Sequence, residues 1–115
     1  MKTGTRVIIT KAGGVSAITT EPMHATEPGE DEVRIKVAYA GINFADLLMR
    51  LGFYRPLPPF PFTPGYELSG VVDALGKGVA HLEVGQRVVA AMRTGGQASF
   101  VNAPKDRVIP LPDGF

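Results

Sequence analysis

Cysteine is absent from the 115 residues. Disulfides, thiolate zinc sites and thiol nucleophiles are therefore excluded. Histidine is scarce. His24 and His81 are the only imidazoles, too few for a tetrahedral site that needs three or four ligands, and both read as surface residues. Charge of one sign is lacking as well: 12 Lys and Arg face 11 Asp and Glu. A net charge of +1 leaves no concentrated basic face of the kind nucleic acid requires. Long apolar runs are missing too. Stretches such as Val88 to Met92 have strand length, and neither a signal-peptide core nor a membrane span follows Met1-Lys2-Thr3-Gly4-Thr5-Arg6. A cytoplasmic location fits this pattern. No Walker sequence and no nucleophile–His–acid arrangement is present, so these routes to phosphate binding and hydrolysis drop out.

Turn formers, by contrast, are abundant. Fourteen glycines and ten prolines make up about a fifth of the chain, against roughly 12% in ordinary proteins. With no repeat to explain it, this excess predicts many turns between short strands. The length suits one domain with a real hydrophobic core, and is too small for a catalytic domain plus a separate nucleotide-binding domain. Strands are expected at Arg6–Thr10, Val15–Thr20, Val33–Ala40, Gly65–Leu75, Arg87–Ala91, Gln97–Asn102 and Val108–Pro112. The clearest is the alternation of Val33, Ile35 and Val37 with Arg34 and Lys36. Pro22 to Glu32 reads as a polar loop with a tight turn at Pro28–Asp31. The fold class is mainly β, a small, partly closed β-barrel with one or two short helices.

Asn43 to Leu51 is the helix candidate. Asn43 suits the N-cap, Asp46 the positive end of the macrodipole, and Gly52 the left-handed C-cap. Phe44, Leu47, Leu48 and Leu51 have helical spacing, and a helix this short must be held by tertiary packing. Phe53 to Pro64 contains five prolines and cannot be a regular helix or a central strand. It is expected to dock on its own domain through Phe60 and Phe62. Gly76-Lys77-Gly78 lacks the third glycine and the helix of a dinucleotide fingerprint, and reads as a turn.

The polar groups Asn43, Asp46, Arg50, Tyr54, Tyr66 and Glu67 flank this helix, the proline-rich loop and the following strand. Each has a structural role open to it: Asn43 as a cap, Asp46 as a first-turn anion, Glu67 as an ion-pair partner of Arg50. Together they outline a pocket rim, with an amide and phenols able to hydrogen-bond a carbonyl.

At these residues a resemblance emerges. The runs Ala40-Gly41-Ile42-Asn43-Phe44-Ala45-Asp46, Arg50-Leu51-Gly52-Phe53-Tyr54 and Pro61-Phe62-Thr63-Pro64-Gly65-Tyr66-Glu67-Leu68-Ser69-Gly70-Val71-Val72 resemble the medium-chain dehydrogenase/reductase superfamily. So do Val84-Gly85-Gln86-Arg87-Val88 and Pro110-Leu111-Pro112-Asp113-Gly114, except that Gln86 replaces a common aspartate. The pattern is most similar to the zinc-independent quinone oxidoreductases, in particular the subgroup similar to the vesicle amine transport protein. The resemblance implies a GroES-like barrel over residues 1–115, an incomplete substrate-side domain. A Rossmann domain and a C-terminal return segment would lie outside this chain. It implies transfer of hydride from NADPH to a quinone or enone, with no metal and no nucleic-acid partner. Asn43 is then the residue near nicotinamide and substrate, Tyr54 the aromatic wall of the substrate cleft, and Tyr66 a cofactor-side residue at a lost zinc-ligand position. The isolated chain is expected to be inactive. The resemblance leaves a homodimer open, and a membrane-surface contact open without support in the sequence. The competing reading is a non-catalytic GroES-like scaffold or interaction domain, with the Phe53–Pro64 loop as its contact surface.

Overall fold

The structure, a computed structural model, describes residues 2–115. The chain runs through β1 (Thr3–Ile9), β2 (Ile18–His24), β3 (Glu32–Ala40), α1 (Phe44–Leu51), β4 (Glu67–Leu75), β5 (Arg87–Ala91), β6 (Phe100–Pro104) and β7 (Val108–Pro110). Single 3-10 turns occupy Val15–Ala17 and Lys105–Arg107. Five strands form an antiparallel sheet in the order β6–β3–β4–β5–β7. β1 and β2 form a separate ribbon, in register from Thr3 opposite His24 to Ile9 opposite Ile18. The ribbon curls onto the sheet edge: the Val7 amide donates to the Gln97 carbonyl at 3.0 Å, and the Ser99 amide to the Thr5 carbonyl at 2.9 Å. The result is the mainly β, partly closed barrel expected, with one real helix.

Element bounds shift in places. β2 begins three residues later than its sequence pattern predicts, because Val15–Ala17 turns first, and it continues through Pro22 to His24. A proline is tolerated there because β2 pairs with β1 alone, so the missing amide breaks no ladder bond. The last strands are likewise displaced, to Phe100–Pro104 and Val108–Pro110.

The alternation in β3 works as its pattern demands. Val33 and Ile35 are wholly buried and meet Leu68, Val72, Val88 and Ala90 from the neighbouring strands. Each such aliphatic side chain contributes about 2 kcal/mol by leaving water. Arg34 departs from the pattern. It is only 8% exposed, because a register shift at Arg34/Ile35 accompanies a dedicated partner: its Nε donates to Asp73 Oδ2 at 2.7 Å. Lys2 Nζ donates to Asp73 Oδ1 at 2.6 Å. The Lys2 hydrogen bond, helped by the hydrogen bond and charge of Arg34, holds the Asp73 carboxyl below its ordinary value against the upward push of burial, which is second in size only to the Lys2 bond.

A second, smaller cluster lies outside the sheet core. Ile9, Met49 and Phe62 are its buried members, and Tyr54, Phe60 and Tyr66 pack around them. The proline-rich loop docks here on its own domain. Phe62 and Ile9 exchange backbone hydrogen bonds at 2.8 and 3.2 Å, and the Phe60 and Phe62 rings lie 5.5 Å apart.

Candidate functional site

The site is organised by the first turn of α1. Asn43 is the N-cap in extended conformation, and its backbone amide donates to Asp46 Oδ2 at 2.8 Å. The Asp46 amide points back at the Asn43 carbonyl at 3.0 Å, and the two residues form a capping box. Gly52, at φ 86°, closes the helix through bonds from its amide to the Leu48 and Met49 carbonyls.

The helix faces the other way from its apolar pattern. Asp46, 7% exposed, and Met49 point inward, whereas Phe44 is 71% exposed, and Leu47 and Leu51 are exposed as well. The reason is the satisfaction of Asp46. Its Oδ1 accepts the Gly65 amide at 3.3 Å while Oδ2 takes that of Asn43, so a carboxylate can be buried without an unpaired oxygen. That bond also fixes the approach to Tyr66. Gly65 has φ 124°, and a Cβ on it would lie 2.7 Å from Gly96 Cα and from the Gln97 nitrogen. Only glycine fits this crossing.

Tyr66 meets Tyr54 edge-on, with ring centroids 6.3 Å apart. The hydrogen bond its hydroxyl donates to Tyr54, reinforced by burial, pushes the Tyr66 phenol up to about 12, while nearby Arg93 pulls it down. Tyr66 therefore stays a neutral donor at physiological pH. On the other side, Asn43 Nδ2 reaches Glu67 Oε1 at 3.5 Å, the outer limit of a hydrogen bond. Glu67 is not part of the core: it faces solvent from the outward side of β4. Nor does it pair with Arg50, whose Nη1 donates instead to the Gly13 carbonyl at 2.9 Å. The helix end pins Arg50 toward the β1–β2 connection, away from β4.

Asn43, Asp46, Tyr66 and Glu67 are thus brought together, and Tyr54 joins them through Tyr66. The Asn43–Glu67 contact separates two clefts. One, of about 340 Å³, runs along the outer side of α1 past Ile18, Asn43, Leu47 and Gln97. The other, of about 470 Å³, lies on the outer sheet face between Tyr39, Glu67, Val89 and Ile109. The larger cleft is almost wholly apolar, and the polar groups gather at the ridge between the two. An amide and phenols can hydrogen-bond a carbonyl or an amide.

The Gly76–Gly78 segment is a turn packed on another turn. The Gly76 amide donates to the Glu32 carbonyl at 2.8 Å and the Asp31 amide to the Lys77 carbonyl at 2.7 Å, and no helix follows. His24 and His81 are both exposed. Among the described residues no group of three or more His, Cys, Asp or Glu gathers to hold a metal, and no helix is long and apolar enough to cross a membrane. Arg93, which sequence reasoning did not single out, lies in the loop directly after β5, close enough for its charge to act on Tyr66.

Comparison with known proteins adds the family. The alcohol dehydrogenase GroES-like domain matches residues 29–113. A quinone oxidoreductase of Salmonella typhimurium is 40% identical over 112 residues, 96% of this chain and 34% of that protein. The crystal structure of a human synaptic vesicle membrane protein VAT-1 homolog-like protein superposes with a TM-score of 0.94 at 33% identity, covering 99% of this chain and 37% of that one. The Escherichia coli quinone oxidoreductase complexed with NADPH gives a TM-score of 0.86 at 32% identity, over 96% of this chain and 34% of the other. The chain spans about a third of the length of these relatives. It belongs to the alcohol dehydrogenase GroES-like domain family, and within it is similar to quinone oxidoreductases and VAT-1 homologues.

Proposed function

We propose that this chain is the substrate-side domain of an NADPH-dependent reductase that passes hydride to a quinone or an enone without a metal. The observation that carries the reading is the double grip of Asp46, whose two oxygens hold the amides of Asn43 and Gly65 and so set Asn43 beside the Tyr66–Tyr54 pair. A related protein of the same fold is described in complex with NADPH.

The donor set fits one end of that cofactor. Asn43 and Tyr66 offer an amide and a neutral phenol suited to a nicotinamide carboxamide. The phosphates find no place here. The amides at the start of α1 face the Asp46 carboxylate, which repels an anion. Phosphate recognition is thus assigned to a further, Rossmann-type domain outside residues 1–115. The exposed Phe44, Ile42 and Phe53 beside α1, and Tyr39 and Ile109 on the sheet, are apolar surfaces suited to meeting that domain and a return segment.

NADPH, when bound, supplies the hydride. Negative charge then develops on the acceptor oxygen, and fixed donors lower its energy because they need no reorganisation. Asn43 Nδ2 and the Tyr54 hydroxyl are the donors, held at one edge of the acceptor, while the Tyr54 ring walls the cleft. Tyr66, kept neutral by Tyr54 and burial, fixes the Tyr54 ring and borders the nicotinamide.

NADPH oxidation by the protein expressed from its complete reading frame, with a simple quinone or enone, tests the reading. Asn43→Ala is expected to lower kcat/KM about tenfold, roughly 1.4 kcal/mol of transition-state stabilisation. Unchanged kinetics remove Asn43 from the site. No oxidation with any acceptor, and no NADPH binding, would favour a scaffold.

A further inference from the structure

A third cleft, of about 270 Å³, opens between the proline-rich loop and the loop after β5. Met49, Pro56, Leu57, Pro58, Arg93 and Thr94 line it. Met49 also belongs to the cluster of Tyr54 and Tyr66, so this cleft adjoins the tyrosine pair from outside. Its lining is apolar except at Thr94 and at one charge, Arg93. Elsewhere Arg6 and Arg34 are held by carboxylates and Arg50 and Arg87 by carbonyls, while Arg55 and Arg107 are free of both among the described residues but line no cleft with an apolar wall. Arg93 has no such partner among the described residues. Yet its loop is pinned on both sides: the Met92 amide donates to the Tyr66 carbonyl, and the Gly95 amide to the Thr63 carbonyl at 2.7 Å. The backbone that carries the exposed Arg93 side chain is therefore fixed at the rim, and its charge is near enough to Tyr66 to act on its phenol.

An unpaired guanidinium on a pinned backbone, over an apolar wall and next to the proposed reacting end, is built to read a second feature of the acceptor. We propose that Arg93 determines specificity: it selects acceptors with an apolar body that carry a carboxylate at the end remote from the reducible carbonyl. The planar guanidinium matches a carboxylate in a two-pronged geometry that a lysine lacks. The proposal rests on the reductase reading for the identity of the acceptor, but not for the charge preference itself.

The test compares 4-phenylbut-3-en-2-one bearing a para-carboxylate with the corresponding methyl ester, using the protein from the complete reading frame. The carboxylate is expected to have a KM about fivefold lower, as befits one partly exposed charge-assisted contact. The preference shrinks in roughly 0.5 M salt, where the screening length falls to a few Å. Arg93→Gln brings the KM ratio to about one, Arg93→Glu inverts it, and Arg93→Lys keeps part of it. Arg55→Gln, on the neighbouring loop, keeps all of it. Equal discrimination by wild type and Arg93→Gln, or none by wild type, overturns the proposal. Calorimetric binding of the same two compounds separates the two readings. A carboxylate preference lost in Arg93→Gln without any turnover supports Arg93 and sinks the reductase, whereas equal binding of both compounds sinks Arg93.

Discussion

The sheet core and the layer around α1 solve the same burial problem with different means. In the sheet, Val33, Ile35, Val72 and Val88 meet across adjacent strands, and each is placed by an alternation that a few residues specify. Around α1 the buried apolar cluster is only Ile9, Met49 and Phe62, and they come from β1, the helix and the proline-rich loop. The outer layer is held by particular hydrogen bonds, chiefly those of Asp46 and the Ile9–Phe62 pair. Stability therefore resides in the sheet, and the polar groups of the candidate site reside where packing is thin. Sites are commonly drawn from the less stable parts of a fold for this reason.

The largest effect should come from the sheet. Ile35→Ala removes a wholly buried side chain from a surround built by three strands, and should cost about 3 kcal/mol, read as a lower urea midpoint of the 115-residue chain. A loss no larger than those at α1 would break the comparison.

Next is the ionic join between β3, β4 and the N-terminus. Asp73→Asn should cost about 2 kcal/mol, less than for a fully buried pair because Lys2 is exposed and the amide still accepts one bond. Its pH dependence is diagnostic. The folded carboxyl titrates below its ordinary 3.8, so its stabilisation is complete above about pH 4 and disappears as pH falls through the folded value. Stability curves of wild type and Asp73→Asn should converge on acidification. Parallel curves below pH 4 would show that the shift plays no part.

The same contrast explains what could be read from residues alone. The buried alternation at Val33 and Ile35 was legible because a strand's period is local, and the Asn43 and Gly52 caps because capping is local too. The inward turn of Asp46 was not, since the amide that permits it belongs to Gly65, nineteen residues on. With Asp46 buried, the stripe of Phe44, Leu47 and Leu51 must face out, the reverse of what an amphipathic wheel implies. Arg34 looked like the polar member of an alternating strand until Asp73, from another strand, supplied its partner. The Arg50–Glu67 pair failed because proximity to one pocket rim says nothing about which way a helix end points.

Asp46→Ala sits third. It removes the acceptors of two backbone amides and should cost about 1.5 kcal/mol, in the range of a lost cap. Unlike Ile35→Ala, it should also alter the near-UV signal of the tyrosines, since Gly65 no longer holds Tyr66 in place. Near-UV spectra identical to wild type would show that the Gly65–Gly96 crossing alone positions Tyr66.

The smallest effect is expected at Leu47, on the open face of α1. Leu47→Ser takes an exposed side chain from a helix whose buried face is Asp46 and Met49, so the 115-residue chain should keep its unfolding free energy to within about 0.5 kcal/mol. In the protein from the complete reading frame the same change should cost more, about 1.5 kcal/mol for an apolar side chain that is covered there. The difference between the two measurements isolates what the rest of the polypeptide contributes at this face. If both values are equally small, the apolar stripe is open to solvent in the longer protein too, and the α1 layer is thin by design rather than for want of its cover.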